Sequence, residues 1–389
     1  MTFEIDQVYC DNAATTPVSS EVLDEMIPFF TESFGNPSSL YMLSQDSKSA
    51  IEFSRDKISK VLNSNSSEIT FTSGGTESNN LALKGICLPE ITENQNEIII
   101  SSIEHHAVIH PAEQLKNIGY KVRYCPVDQN GCIKIEEFRN LITTKTKFVS
   151  IMFANNEIGS IQNIKYLVEI VREKEKEFNK KIYFHTDAVQ AVGKIKINVK
   201  DLGVDLLSIS GHKFNAPKGI GALYIQEEII VEPLLDGGGQ ERQNRSGTEN
   251  VPSIVGLGKA IEIAESKREN FYNHTQELSE RFIDSIIEKI PDLVIHSTKN
   301  GLSNIVNFSI PNIQGEPILI GLDFKGIMAS SGSACSTASV EPSHVLLAKG
   351  VDEKLALGSV RLSFSILNTL EEIDYIVESL YEVCEDLKN

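Results

Sequence analysis

Between about residue 45 and residue 260, seven short runs rich in β-branched and aromatic residues (EITFT, EIIIS, KVRYCP, KFVSIMF, KIYFHTD, DLLSIS, GIGALYI) alternate with stretches whose apolar residues recur every three or four positions. Runs of that composition read as strands, and a three–four spacing marks one face of a helix. The segment QNIKYLVEIVREKEKEFNKK, between two of the runs, is patterned as a crossover helix. Strand and helix in alternation predict an α/β fold, a mostly parallel seven-stranded sheet covered by helices. Right-handed crossovers then bring the carboxyl ends of the strands to one side.

From about residue 256 the pattern changes to one long helical stretch, GLGKAIEIAESKRENFYNHTQELSERFIDSIIEKI, longer than an ordinary globular helix and placed to link two domains. Two further strand candidates, SNIVNFSI and SVRLSFSI, with helical flanks, predict a smaller α+β domain. The length, 389 residues, agrees with two cores, since one core stops growing near about 250–300 residues. The expected division is a large domain over 15–258 and a small domain over 1–14 and 259–389, with a Gly/Ser-rich loop near 329–341 inside the small domain.

Charge narrows the partners. Lys plus Arg number 36 against 54 Asp plus Glu, a net charge of -18, which repels a phosphate backbone at long range and argues against nucleic acid. The opening MTFEIDQVYCDNAATTP has no basic start before an apolar core, and no stretch reaches the roughly 18 apolar residues of a membrane span, so a cytoplasmic protein is expected. The six cysteines, at 10, 87, 125, 132, 335 and 384, form no CxxC pair, which indicates neither a zinc site nor a disulfide framework. Four of them, at 10, 87, 125 and 384, lie in apolar patterns and read as filler. Cys132, in a QNGC turn, reads as exposed.

Three strand ends carry candidate chemistry. In FTSGGTESNN a strand runs through Ser73-Gly74-Gly75-Thr76 into a helix, an arrangement that suits a phosphate or is simply a tight turn capped by Ser73 or Thr76. In KIYFHTDAVQAVGK a strand ends at Asp187 with Gln190 beyond it. That acid either caps the next helix or faces a ligand, where it would keep a pyridine nitrogen protonated. In LLSISGHKFNAPKGIGALYI a polar turn between strands holds Ser210, His212 and Lys213, and a lysine shielded from solvent forms a Schiff base readily. Glycine turn, acid and lysine in this order point jointly to pyridoxal phosphate (PLP) chemistry.

With YCDNAATTP, FGNPSS, IEHHAV, ANNEIG, RSGTEN and SSGSACSTAS, these segments resemble the NifS/IscS-type cysteine desulfurases of the PLP-dependent class V aminotransferase-like family, from about residue 8 to residue 380. The resemblance implies that Lys213 anchors PLP, Asp187 pairs with the pyridine nitrogen, Gln190 meets the ring oxygen and His105 stacks on the ring. It implies a phosphate cup of Gly75, Thr76, Ser210 and His212, with Thr248 reaching the phosphate of a neighbouring subunit and hence a homodimer. Asn156 would stand beside ring and substrate, and Arg361 would grip the substrate carboxylate, a task suited to its bidentate fork.

The activity so implied converts L-cysteine to L-alanine, with Cys335 taking the sulfur as a persulfide for an acceptor protein, an iron–sulfur scaffold in the leading reading. A thiol with a pKa of about 8.5 needs help to ionise, and His105 is the candidate proton acceptor. The small residues around Cys335 lack the apolar bulk of a core site and suit a moving loop. Selenocysteine lyases and class V aminotransferases share the fold, and a non-catalytic scaffold is a further alternative. Tyr41, Ser44, Ser365 and Ile366 depart from common family residues at the entrance and in the small domain.

Overall fold

The computed structural model describes residues 7–89, 91–92, 94–331 and 341–388. A two-residue strand, β1 (Val8–Tyr9), comes first. Each expected run then forms a strand: β2 (Ile69–Thr72), β3 (Glu97–Ser101), β4 (Lys121–Cys125), β5 (Thr146–Ser150), β6 (Tyr183–Asp187), β7 (Leu206–Ser210) and β8 (Gly221–Ile225). They pair in the order β2-β8-β7-β6-β5-β3-β4. Only β8 in this sheet runs against its neighbours, so the carboxyl ends of the other strands share one edge.

Burial explains the near-continuous apolar character of the inner strands. Ile99 packs into one core and its neighbours Ile98 and Ile100 into another, the period-two signature of a sheet covered on both faces. The edge strand β4 is largely exposed to solvent instead, as its mixed sequence KVRYC requires. The predicted crossover helix spans Ile164–Phe178, burying Ile164, Leu167, Val168, Ile170 and Val171 against the sheet.

A separate core is built from Val8 and Cys10, the strands β9 (Val294–Ile295), β10 (Ile305–Ser309), β11 (Ile327–Met328) and β12 (Ser359–Ser363), and flanking helices. β12-β10-β9 form an antiparallel sheet, and β1 pairs in parallel with β11, which draws the start of the chain into this unit. The long helical stretch is two helices, Val251–Ser266 and Arg268–Lys289, broken at Lys267 with φ -99° and ψ 4°. The first gives Ile254, Leu257 and Ile261 to the large core, and the second gives Leu278, Phe282 and Ile286 to the small one. Periodicity hid the break because both halves keep the same three–four spacing. No helix among the described residues is long and apolar enough to cross a membrane.

Candidate active site

A cavity of about 600 Å³ opens at the shared carboxyl edge, where β2, β3, β5, β6 and β7 each end in a polar turn. That edge is where open α/β sheets bind ligands. Gly75, Thr76, His105, Asn156, Asp187, Gln190, Ser210, His212, Lys213 and Arg361 all line it.

After β2 the chain turns through Gly74, whose φ of +148° and ψ of -176° belong to glycine alone. A Cβ on Gly75 would stand 2.8 Å from Val189 Cγ2 and 3.3 Å from Ser210 Cβ, so only glycine lets the helix Gly75–Cys87 start this close to β7. Neither Ser73 nor Thr76 caps this helix: the N-cap is Gly74, without a side-chain acceptor. Ser73 instead donates its amide to Glu77 Oε2 at 2.8 Å. First-turn amides without a side-chain cap suit an anionic ligand.

Asp187 is buried and lines the cavity, and it caps no helix among the described residues: the next after β6, Val199–Leu202, is capped by Asn198. Oδ1 accepts the amide of Val189 at 2.9 Å and closes the turn after β6, while Oδ2 accepts Asn79 Nδ2 at 2.6 Å. Burial pushes its carboxyl above the usual range, opposed by those two donors and by the charge of Lys213. Lys213 Nζ donates to the carbonyls of Ala13 and Ala14, each at 2.7 Å, and Gln190 Nε2 donates to Ala13 O at 2.9 Å. The DNAATTP segment thus seats both side chains.

His105 accepts the amide of Ala107 on Nδ1 at 3.0 Å, capping the helix His106–Lys116. Burial first, then the charge of Lys213, pushes its pKa down to about 4. The ring is therefore neutral with its hydrogen on Nε2, a donor there rather than a proton acceptor, at odds with a role as the base for a thiol. His212 is pushed down to about 4 by burial and by Lys213, and its Nδ1 lies 3.1 Å from Thr15 Oγ1.

Arg361, on β12, reaches the cavity from the small core. Nη1 donates to Asn156 O at 2.8 Å and Nη2 to Asp11 Oδ1 at 2.7 Å. Asn155 shapes the turn that carries Asn156, its Oδ1 accepting the amides of Glu157 and Ile158. Thr248 is exposed and stands apart from the cavity-lining set. Cys335 lies outside the described residues, but the chain on either side of 332–340 is tied to the site. Ser330 pairs through its backbone with Arg361, and His344 Nε2 is 2.9 Å from Glu104 O.

The family model for Aminotransferase class-V matches residues 8–376. Cysteine desulfurase IscS of Clostridium botulinum (strain Hall) is 50% identical over 383 residues, 97% of this chain and 94% of its own length. The chain belongs to the class-V aminotransferases, among their IscS/NifS-type cysteine desulfurases. Cysteine desulfurase IscS of Methanosarcina thermophila is also 50% identical, over 98% of this chain and 93% of that one. A solved NifS-like protein superposes with a TM-score of 0.91 at 39% identity, covering 97% of this chain and 99% of that one.

The cofactor of this desulfurase family is PLP, and the cavity fits it: an amine, a buried acid and a glycine cradle that a Cβ would fill all face one space. Sequence reading missed Asn79, Glu104 and Asp11. Asn79 carried a faint signal, one helical turn after Gly75 on the same face. Of the other cysteines, Cys10, Cys87, Cys125 and Cys384 are buried, and burial pushes the last three thiols up to about 12. Cys132 is half-buried rather than exposed, its amide held by Asp128 Oδ1 at 2.9 Å.

Proposed function

We propose that this desulfurase takes sulfur from L-cysteine onto Cys335, with Lys213 as PLP anchor, and passes it to an acceptor protein for iron–sulfur cluster assembly. What supports the reading is the convergence of Lys213, Asp187, Gln190, His105 and Arg361 on one cavity. When bound, PLP supplies an electron sink for the α-carbon of an amino acid. Gly75, Thr76, Ser210 and His212 would hold its phosphate, Asp187 would hold the proton of the pyridine nitrogen, and His105, neutral with its hydrogen on Nε2, would stack on the ring. Gln190, fixed through Ala13 O, would offer its remaining amide hydrogen to the ring oxygen.

Arg361 would grip the carboxylate of cysteine beside Asn156, and the Lys213 amine would move the α-proton. The Cys335 thiolate then attacks the substrate sulfur: an S–S bond forms and the substrate C–S bond breaks. Its electron pair stays with the carbon, which takes a proton to become alanine. Atoms balance as L-cysteine plus enzyme thiol giving L-alanine plus enzyme persulfide.

The working form is a cytoplasmic homodimer. In support, Ile27, Phe30, Phe34, Leu40, Met42 and Phe53 leave large apolar side chains exposed within one N-terminal stretch, a density that marks an interface. The departures Tyr41 and Ser44 fall in this stretch, Tyr41 exposed and Ser44 buried. Thr248, exposed and outside the cavity of its own chain, is available to the cavity of a second copy.

The test is to supply L-cysteine to the PLP-loaded protein, quantify alanine, and locate the persulfide by peptide mass analysis. Alanine with one added sulfur on Cys335 is expected, and Cys335→Ala should retain the cofactor absorbance while making neither product. Full turnover in that variant would reassign the nucleophile, and a protein that takes up no PLP would end the reading.

A further inference from the structure

Besides Asp187 and Glu157, whose carboxyl burial also pushes up, the cavity lining holds a third buried acid, Glu104, whose two oxygens are treated unequally. Glu104 is completely buried between the end of β3 and the chain leaving β5, and it lines the cavity. Oε1 accepts both Ser101 Oγ and the amide of Met152, each at 2.7 Å. Oε2 is also buried and has no hydrogen-bond partner among the described residues. A carboxylate charge is delocalised over both oxygens, so an ionised Glu104 would leave half its charge unsolvated, at a cost far above that of an unmatched neutral group.

We propose that Glu104 works as a neutral carboxylic acid, protonated on Oε2, a positioning residue whose lack of charge leaves the negative charge of the cavity floor to Asp187. The proposal rests on the reading above for the use of Asp187 toward the pyridine nitrogen, but its core, a protonated buried acid, stands on the packing alone. Two neighbouring buried carboxyls cannot both ionise cheaply, and the one with better donors ionises first. Asp187 has a donor on each oxygen and Lys213 close by.

The other groups around Glu104 agree. His105 and His106 stand at the start of the helix His106–Lys116, and His344 contacts the Glu104 carbonyl. Both His105 and His106 are pushed down, first by burial, so neither offers a firm cation at neutral pH. Burial first, with the charge of Asp187 in the same direction, pushes Glu104 up to about 8 against the opposing pull of Ser101 and Met152.

The sign of the consequence follows. A folded-state pKa above the unfolded value means that Glu104 stabilises the fold fully below about pH 4.5, and that this contribution is lost as pH rises toward about 8. Glu104→Gln keeps the shape and the Oε1 acceptor but cannot ionise. The first measurement is the melting temperature of the cofactor-free protein at about pH 5 and about pH 8. Wild type is expected to lose several degrees more across this interval than Glu104→Gln. Equal losses would overturn the proposal, whatever the cofactor does.

The second measurement is PLP affinity against pH. Above about pH 8 wild type should lose about tenfold more affinity than Glu104→Gln. Parallel affinity curves would refute the link to Asp187 without touching the assignment of PLP. Should the Gln variant fail to fold, Ser101→Ala gives a second route. It removes a donor that favours the ionised form, so the stability loss must run on to higher pH than in wild type, and a loss that ends where that of wild type ends counts against a protonated Glu104.

Discussion

Nη2 of Arg361 lies 2.7 Å from Oδ1 of Asp11, joining two residues 350 positions apart. The guanidinium is almost wholly buried, and its Nη1 is held by the carbonyl of Asn156 from the large core. Three chain segments thus fix one planar group, leaving one hydrogen on each terminal nitrogen for a ligand carboxylate.

That arrangement makes lysine a poor substitute. A single ammonium cannot bridge Asp11 and Asn156 and still offer a fork to a carboxylate. Arg361→Lys is expected to raise KM for L-cysteine about 10-fold to 100-fold, or about 1.4–2.8 kcal/mol, with a smaller fall in kcat. Steady-state alanine production measures both, and an unchanged KM would move the carboxylate grip elsewhere.

A buried ion pair outside the cavity should matter for stability. Arg55 donates from both terminal nitrogens to Glu241 at 2.8 Å, and Glu241 Oε2 also takes the amide of Phe71 at 2.8 Å. Both side chains are nearly inaccessible. Glu241→Ala removes the bidentate partner of the guanidinium, leaving it Ile69 O and the half-exposed Glu52, and strands the Phe71 amide, so a loss of about 3 kcal/mol is expected in urea unfolding. A loss below about 1 kcal/mol would mean that water reaches the site.

His185 sets a dependence in acid. It is buried between Ser150 Oγ at 2.8 Å and Ser208 Oγ at 2.9 Å, and burial pushes its pKa down to about 3. The folded state resists the proton that the unfolded chain takes near pH 6.5, so this contribution is complete above about pH 6.5 and drains away as pH falls. His185→Gln keeps a neutral hydrogen-bonding group there, and its stability should fall less than that of wild type between about pH 6.5 and about pH 4. Identical acid slopes by chemical denaturation would remove His185 from the account.

The strands and the lysine turn were legible because their signals are local: period-two burial, glycine at a tight turn, a polar residue closing an apolar run. Asn79 and Asp187 are 108 positions apart and their bond is a product of topology alone, as is that of Asp11 with Arg361. Glu104 lies in IEHHAV beside His105, and nothing in a string of letters tells a buried acid from a solvated one. The break at Lys267 was equally hidden, because it follows from the presence of two cores rather than from any breaker residue.

Lys213 spends two hydrogens on the backbone oxygens of Ala13 and Ala14. A carbonyl compound attached to that nitrogen would leave it at most one hydrogen, and Ala13 O would keep Gln190 Nε2 as a donor at 2.9 Å. The stretch that carries both oxygens continues backward through Asp11 into β1, which is woven into the small domain. The thread that frames the lysine is therefore the same one that stitches the far half of the molecule to the near one.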